Sequence, residues 1–192
     1  DRETSGAIIV CRSRKALVRL HDMMKESGGI EKHYRLLVKG DWVNDRQHVK
    51  LPLVRYLLPS GERRVRVDQV EGVPAHTIFT LLKRYGSVSY LDAELKTGRT
   101  HQIRVHMKYI GHTLFNDERY GGHDILKGTT FTKYKQFVQN CFAICPRQAL
   151  HAKTLGFVHP TTGEEMFFDS EIPSDMQQLI DRWRVYANTK EL

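Results

Sequence analysis

The sequence predicts an α+β fold built on a mainly antiparallel sheet, and three observations support that prediction. Strand-like stretches outnumber helical ones along the 192 residues. Several of these stretches are joined by turn signals, such as the one at 59–61, instead of by helical crossovers. No internal repeat or low-complexity stretch divides the chain. We therefore expect residues 1–192 to form one domain, with helices flanking a mixed sheet.

The first elements follow from apolar patterning and from a capping signal. The fully apolar run at 7–10 predicts a short buried strand. Ser13 can cap a helix that begins at Arg14, and the glycines at 28–29 would end it. The apolar stripe of this helix consists of Leu17, Leu20 and Met24.

The middle of the chain alternates between strand and helix patterns. Residues 34–38 predict a second strand, and the turn at 59–61 separates two more. Apolar and acidic residues alternate over 91–95, which is typical of a half-buried strand. Beyond Gly98 the spacing becomes helical, with Gly111 as the stop signal. The apolar positions of that helix are Ile103, Met107 and Ile110.

The C-terminal part predicts a hairpin and a final helix. Residues 155–158 and 166–169 flank a turn signal at 159–163. Residues 174–177 fit a capping box for a helix. The core face of that helix would consist of Met176, Leu179, Ile180 and Trp183. Residues 112–150, which include Gly128, lack clear periodicity and predict an irregular excursion near a working site.

The charge of the chain favours a nucleic-acid partner. Thirty Lys and Arg against 22 Asp and Glu give a formal net charge of +8 and a pI near 9.5. Such a protein attracts polyanions through its field and through counterion release, although a merely basic soluble protein explains the charge equally well. No apolar run approaches the roughly 18 residues of a membrane span, and the polar opening is unlike a signal peptide. We therefore expect a cytoplasmic protein without a membrane partner.

The cysteines do not predict a metal centre. Cys141 and Cys145 lie close to His151 in sequence, and these three are the soft ligands of that region. A structural zinc site uses four ligands, and no second pair follows. We therefore expect no metal and ordinary reduced thiols.

Two segments contain the residue types that chemistry needs. The segment at 98–106, Gly-Arg-Thr-His-Gln-Ile-Arg-Val-His, places two arginines and two histidines around the start of a helix. His101, Arg104 and Lys108 lie about one turn apart on a polar flank. For this helix alone, a solvated face is the simpler interpretation. Asp1, likewise, is on its own an acid at a chain end.

Taken together, these segments resemble a known family. Residues 1–6, Asp-Arg-Glu-Thr-Ser-Gly, look like the end of the Arg-Leu-Asp-x-x-Thr-Ser-Gly signature of the RluA/RluC/RluD family of pseudouridine synthases. Residues 32–38 resemble the family's second motif, and 98–106 matches its third motif residue for residue. Further similar stretches follow in the right order, at 111–112, 117–121 and 147–152. The resemblance implies a pseudouridine synthase fold with a central RNA-binding cleft.

The resemblance also implies roles for individual residues. Asp1 stands at the position of the family's catalytic aspartate, and Arg104 at that of the arginine that pairs with this carboxylate. Tyr34 matches the tyrosine that stacks on the target base and is proposed to help remove its C5 proton. Ile103 matches an apolar residue that packs against the base from the other side.

Two further members of the third motif, Arg99 and His101, are assigned to substrate binding, with structural or phosphate-contacting duties left open. If these roles hold, Tyr34 and Arg104 should line one cleft. The first residues of the chain should form its floor, and basic residues should surround its rim.

The implied reaction cuts the glycosidic bond of uridine, turns the uracil and rejoins it through C5. The base must first leave its stack, and stacking on an aromatic ring, worth about 1–3 kcal/mol, offsets part of that cost. Cleavage needs an ionised carboxylate, and a neighbouring guanidinium favours the charged form and orients it. Attack at C1′, attack at C6 and removal of a ribose proton all fit. No step needs redox chemistry or a Lewis acid, so we expect no cofactor.

The resemblance also leads to expectations about the substrate and about the extent of the domain. We favour uridines of 23S (large-subunit) ribosomal RNA as the target and a monomer as the working form, with transfer RNA as the alternative. A basic RNA-binding module without activity is the other class of function left open. A glycosidase is disfavoured because it uses two paired carboxylates. Because the family's Arg-Leu is missing before Asp1, this catalytic domain is expected to lack its N-terminal strands and any S4-like RNA-binding domain.

Overall fold

A computed structural model of the chain describes residues 1–26, 28–125 and 131–190. Those residues form a seven-stranded mixed sheet, a separate two-stranded hairpin and four helices, which confirms the predicted α+β class. The strands are β1 (Ser5–Gly6), β2 (Ile30–Lys39), β3 (Arg46–Lys50), β4 (Leu53–Leu57), β5 (Arg63–Val67), β6 (His76–Arg84), β7 (Val88–Leu95), β8 (Leu150–Val158) and β9 (Glu165–Asp169). The helices are α1 (Arg14–Lys25), α2 (Gln102–Tyr109), α3 (Thr132–Ile144) and α4 (Ser174–Lys190).

The large sheet has the strand order β1-β8-β2-β7-β6-β3, and β9 also pairs with β8. Its neighbouring strands are antiparallel except for β1 and β8, which are parallel. The short β1 approaches β8 closely because Gly6 has no side chain. Its φ is 106°, and a Cβ at this position would lie 2.2 Å from the carbonyl oxygen of Ala152. The sheet therefore brings the first residues of the chain against β8.

Helices cover both faces of this sheet. On one face, α3 and α4 pack around Trp183. On the other face, Ile103 of α2 meets Leu36 of β2 in a second apolar cluster. Alternation along β2 puts Ile30 on the same face as Leu36, and Ile30 packs with Leu20 of α1. α1 and α2 therefore share one face of the sheet, and the β4–β5 hairpin packs against α2.

Several local predictions are confirmed. Ser13 caps α1 by accepting a hydrogen bond from the amide of Ala16 at 3.2 Å. The turn at 59–61 joins β4 to β5, and the turn at 159–163 joins β8 to β9. Gly111 follows α2 with a φ of 88°. The predicted core face of α4 is buried at all four of its positions.

Other local predictions are wrong. The apolar run at 7–10 is not a strand, and Ile8 and Val10 are 83% and 79% exposed. α1 lies on the surface and buries Leu20 alone of its stripe. The capping box at 174–177 is not formed, because α4 already begins at Ser174 and the amide of Gln177 donates to the carbonyl oxygen of Pro173 at 2.9 Å.

The segment at 112–150 is not irregular throughout, because it contains α3. Three buried residues of α3 recur at helical spacing: Tyr134, Val138 and Cys141. The predicted glycine signal at Gly128 lies outside the described residues. In the ranges that the structure describes, no helix is both long enough and apolar enough to cross a membrane.

Candidate active site

The segment at 97–102 folds into a tight entry to α2 that is tied to β6. The side-chain oxygen of Gln102 accepts hydrogen bonds from Thr97 Oγ1 at 2.8 Å and from the amide of Arg99 at 3.0 Å. Its side-chain nitrogen donates to the carbonyl oxygen of His76 at 3.1 Å and to Thr77 Oγ1 at 2.9 Å. One buried amide therefore fixes where α2 begins.

The carboxylate of Asp1 lies at this end of α2, between two side chains of the same motif. Its Oδ2 is 3.5 Å from Arg104 Nη1, and its Oδ1 is 3.6 Å from His101 Nε2. The side chains of His101 and Arg104 are only 10% and 6% exposed. The interpretation of this flank as a solvated face is therefore wrong, and Lys108 alone of the three is exposed. The fold thus brings three of the predicted site residues together.

A second carboxylate, Asp117, holds Arg104 in place. Arg104 Nε donates to Asp117 Oδ2 at 2.7 Å, and Nη2 donates to Oδ1 at 2.8 Å. Asp117 is fully buried and also accepts from the amide of Tyr120. No separate role is predicted for Asp117 from the sequence. The only signal was its place in a stretch that resembles the family.

His101 occupies an unusual backbone position. Its φ is 53°, in the left-handed region that residues other than glycine seldom adopt. Its Nδ1 lies 2.6 Å from the hydroxyl of Tyr120, which also accepts a hydrogen bond from the amide of Val65 at 3.3 Å. Burial, together with the charges of Arg104 and Arg119, lowers the pKa of His101 to about 4. The ring is therefore neutral at neutral pH.

The segment at 1–6 is anchored by the strand-entry residues Arg147 and Gln148. Arg147 donates to the carbonyl oxygen of Glu3 at 2.9 Å and to Ser5 Oγ at 3.0 Å, and its Nε binds Asp175 Oδ2 at 2.8 Å. Gln148 Nε2 donates to the carbonyl oxygen of Arg2 at 2.8 Å. Arg147 and Gln148, which are far from residues 1–6 in sequence, therefore determine where the Asp1 segment lies. In the sequence, this stretch is distinguished only by its resemblance to the family.

Tyr34 and Ile103 contact one apolar cluster beneath α2. Tyr34 lies opposite Ala152 in the sheet register, and Ala152 lies opposite Gly6 of β1. Tyr34 is therefore two strands, or about 10 Å, from the Asp1 segment. Burial raises the pKa of the Tyr34 phenol. Ile103 is only 4% exposed, so in this structure it is a core residue.

Two other motif residues have different surroundings. Lys32 shares the face of β2 that bears Tyr34, and a Cβ on Gly98 would lie 2.8 Å from Lys32 Nζ. Burial lowers the pKa of Lys32. Arg99 is exposed, and its Nε donates to the carbonyl oxygen of Pro74 at 3.1 Å. Arg99 is thus not brought to the Asp1 cluster.

A cleft of about 570 Å³ opens beside the Asp1 segment. Its charged lining consists of five arginines, two histidines and three glutamates: Arg2, Arg64, Arg104, Arg119, Arg147, His101, His123, Glu3, Glu62 and Glu118. Basic residues therefore line the cleft as expected, and Arg2 and Glu3 of the first segment line it too, whereas Asp1 itself is not among the lining residues. Tyr34 is not among the described residues that line this cleft, which differs from the expectation.

The β4–β5 hairpin forms one wall of the cleft. Arg64 Nη1 donates to the carbonyl oxygen of Arg119 at 2.8 Å, and Arg119 Nε lies 2.9 Å from Glu62 Oε1. Val65 of the same hairpin packs with Val105 of α2. The hairpin is therefore joined to the helix that positions Arg104.

Cys141, Cys145 and His151 were the residues considered as zinc ligands, and each of them has a different environment in the structure. Cys141 and Cys145 are buried, and burial raises the pKa of their thiols to about 12 and about 11. His151 Nδ1 lies 2.9 Å from Ser5 Oγ, and its Nε2 lies 3.2 Å from the carbonyl oxygen of Ser170. Within the described ranges, no group of three or more His, Cys, Asp or Glu side chains is placed to hold a metal ion.

Comparison with known proteins points to one family. The model of the RNA pseudouridylate synthase family matches residues 1–109. The chain is 38% identical over 184 residues to ribosomal large subunit pseudouridine synthase C of Escherichia coli (strain K12), which covers 96% of this chain and 54% of that protein. The protein of the same name from Haemophilus ducreyi is 37% identical, covering 96% and 53%. The chain thus spans about half the length of the curated relatives that it matches.

Two solved structures share the fold. The human protein RNA pseudouridylate synthase domain containing 4 matches with a TM-score of 0.67 at 16% identity, over 90% of this chain and 69% of that one. The human protein RNA pseudouridylate synthase domain containing 1 matches with a TM-score of 0.63 at 23% identity, over 96% and 77%. At these identities the likeness concerns the fold alone.

Proposed function

The chain belongs to the RNA pseudouridylate synthase family, and from that premise we propose that the protein converts uridines to pseudouridines in large-subunit ribosomal RNA. One observation carries the proposal: the Asp1 carboxylate lies 3.5 Å from Arg104 and 3.6 Å from His101, beside a basic cleft. The names of the bacterial relatives support ribosomal RNA as the substrate. The working protein is a monomer of the cytoplasm in this proposal.

Asp1 is the residue that acts at the glycosidic bond in this proposal. The guanidinium of Arg104 favours the ionised carboxylate and limits its rotation. Because Asp117 already binds two nitrogens of Arg104, the guanidinium keeps its orientation when Asp1 engages the ribose or the base. The Asp1 side chain is 20% exposed, and its neighbours Arg2 and Glu3 line the cleft, so in this proposal a nucleotide bound there reaches the carboxylate.

Tyr34 receives the extruded base on its aromatic face. Extrusion of a base costs a few kcal/mol, and stacking on an aromatic ring returns about 1–3 kcal/mol of that cost. The raised pKa keeps the phenol protonated at neutral pH, so the ring is uncharged when the base arrives. Tyr34 packs on the apolar cluster beneath α2 and does not line the cleft, so the proposal requires its ring to turn toward the base when RNA binds. Rotamer changes of this kind are common at binding surfaces.

The cleft binds the phosphates that flank the target uridine. Five arginines and three glutamates leave an excess of positive charge along its walls. Arginine suits this duty because its planar fork matches the geometry of a phosphate. Neutralised phosphates release counterions, so affinity for RNA falls steeply as salt is raised. His101 and Arg99 have different places in this proposal: His101 faces Asp1, and the exposed Arg99 contacts RNA outside the cleft.

Mapping of pseudouridines tests the proposal in cells. Ribosomal and transfer RNA are sequenced from cells that lack the gene, and from such cells complemented with the full-length wild type or with Asp1→Asn. We expect particular large-subunit sites to disappear and to return with the wild type alone. The exposed substitution Asp181→Asn serves as the matched control and should restore the sites fully.

Two outcomes contradict the proposal in different ways. If no site changes in any RNA class while the purified protein still binds RNA, the protein is a basic RNA-binding module and not an enzyme. If the sites that disappear lie in transfer RNA, the activity stands and the proposed substrate is wrong.

A further inference from the structure

We propose that Tyr120 is a positioning residue that fixes His101 as the Nε2–H tautomer and thereby directs an N–H group at the carboxylate of Asp1. The importance of this arrangement for the reaction rests on the proposed function, whereas the tautomer itself does not. The side chains of Tyr120, His101 and Asp1 follow one another in a line of contacts. This line begins at the amide of Val65 in the β4–β5 hairpin and ends at the carboxylate of Asp1.

The carboxylate of Asp1 determines which nitrogen of His101 carries the proton on its side of the ring. An ionised carboxylate only accepts hydrogen bonds. The ring atom that faces it, His101 Nε2 at 3.6 Å, must therefore hold the proton for the contact to be attractive. Hydrogen bonds at catalytic groups are often long in unliganded structures and shorten when substrate binds. At 3.6 Å the contact is electrostatic and longer than a hydrogen bond, and it favours the proton on Nε2.

Tyr120 determines the protonation on the other side of the ring. The backbone amide of Val65 can only donate, so the hydroxyl of Tyr120 accepts there, at 3.3 Å. The proton of that hydroxyl is then free to point at His101 Nδ1, 2.6 Å away. Nδ1 has to be unprotonated to accept it. Both neighbours of the ring therefore favour the same tautomer.

The pKa of His101 determines how many protons the ring carries. A doubly protonated His101 would place a second N–H against the hydroxyl of Tyr120 and a positive charge beside Arg104 and Arg119. Burial and these two guanidinium groups lower the pKa of His101 to about 4, against a smaller opposing effect of Asp117. With one proton on the ring and Nδ1 occupied by Tyr120, the proton resides on Nε2.

The backbone conformation of His101 makes asparagine and glutamine a matched pair of substitutions. His101 has a φ of 53°, and its side chain caps no amide of α2. Asparagine adopts this left-handed conformation more readily than glutamine does. The side-chain amide of glutamine reaches the position of the histidine Nε2, whereas that of asparagine reaches only the position of Nδ1. Backbone fit and donor position therefore favour opposite substitutions.

The tautomer is measured first, by ¹⁵N NMR of the histidine rings in the full-length protein. We expect an Nε2–H signal for His101 in the wild type and a shift toward the Nδ1–H form in Tyr120→Phe. This variant keeps the ring on which the Arg104 guanidinium lies, 5.0 Å from its centroid. Tyr109→Phe changes an exposed tyrosine of α2 and should leave the tautomer unchanged. An Nδ1–H form in the wild type, or an unchanged form in Tyr120→Phe, overturns the proposal.

Single-turnover rates with ribosomal RNA are measured second. We expect Tyr120→Phe and His101→Asn to lower the rate by roughly 10- to 100-fold, and His101→Gln to lower it less. A purely structural role for His101 predicts the reverse order of Asn and Gln, and that result overturns the positioning role even if Tyr120→Phe does not fold. A wild type that forms no pseudouridine contradicts the proposed function instead, and leaves the NMR result intact.

Discussion

Arg104 and Asp117 form a bidentate ion pair inside the molecule, with Nε and Nη2 of the guanidinium 2.7 and 2.8 Å from the two carboxylate oxygens. Both side chains are almost fully buried. The third nitrogen, Nη1, is the one that lies 3.5 Å from Asp1. Asp117 thus fixes the guanidinium, while Asp1 meets it more loosely and keeps 20% of its side chain exposed.

This ion pair predicts a large stability effect at Asp117. Asp117→Ala leaves Arg104 buried without its main partner, and removing one partner of such a pair typically costs about 3–5 kcal/mol. Urea unfolding of the purified protein measures the free energy of unfolding. Asp181→Ala is the control, since it breaks an exposed pair with Arg184 that contributes about 1 kcal/mol or less. Equal losses in the two variants would contradict the anchoring role of Asp117.

The hydrogen bonds of Arg147 predict a variant that folds but reacts slowly. Arg147→Lys replaces a planar fork of donors by a single ammonium, which cannot reach Glu3, Ser5 and Asp175 together. The Asp1 segment then shifts, and a displacement of about 1 Å can lower a rate by up to about 100-fold. Single-turnover assays give the rate, and circular dichroism reports the fold.

The matched control for that variant is Arg184→Lys, which changes an exposed arginine of α4. We expect it to react at the wild-type rate. If Arg147→Lys also keeps the wild-type rate, the Asp1 segment does not depend on Arg147 for its position.

Local sequence patterns predicted the elements whose signals are themselves local. The turn at 59–61 follows from a local turn signal that includes a glycine. Helix α2 follows from apolar periodicity within a few residues. The prediction of a strand at 7–10 was wrong for a physical reason. An apolar run alone does not show whether a neighbouring strand is available to pair with it. In the structure, β8 pairs with Ser5 and Gly6, and the ladder ends where the amide of Ala7 donates to the carbonyl oxygen of Ala152 at 3.0 Å.

The candidate site was predictable only in part, because most of its contacts join distant segments. The third motif pointed to His101 and Arg104, whose side chains meet Asp1. Tyr120 and Arg147 could not be assigned, since their roles depend on which side chains the fold places 2.6–3.0 Å away. A periodic pattern describes one element, whereas these hydrogen bonds connect a hairpin, a helix and a strand entry.

The burial of Ile103 predicts a stability effect that separates a core role from a base-contacting role. Ile103 packs with Leu36 and Met107, and truncation of such a residue to alanine typically costs about 2–5 kcal/mol. Ile103→Val should cost only about 0.5–1.5 kcal/mol and keep most of the activity. Leu57→Ala, at a 65% exposed site, is the control and should change the free energy of unfolding by about 0.5 kcal/mol or less.

Urea unfolding and RNA-modification rates are compared in the same variants. A large drop in rate for Ile103→Val with little loss of stability would show that the side chain touches the base. That result would contradict the core role that the structure gives it.

The lowered pKa of His101 predicts that acid destabilises the protein between about pH 6.5 and about pH 4. Burial, followed by the charges of Arg104 and Arg119, lowers this pKa from 6.5 to about 4 in the folded state. In the unfolded chain the ring takes up its proton near pH 6.5. Between these values the unfolded state binds more protons, so the free energy of unfolding falls as the pH falls. The shift corresponds to at most about 3 kcal/mol.

His101→Gln isolates this contribution because glutamine does not titrate. Urea unfolding at pH 7.5 and pH 4.5 gives the loss of stability over the interval for each variant. We expect the wild type to lose more than His101→Gln, while both retain a common loss from His106 and His151, whose pKa values burial also lowers. Tyr109→Phe should behave as the wild type. Equal losses in wild type and His101→Gln would mean that His101 takes up its proton equally well in the folded and unfolded states, and the lowered pKa of His101 would then be wrong.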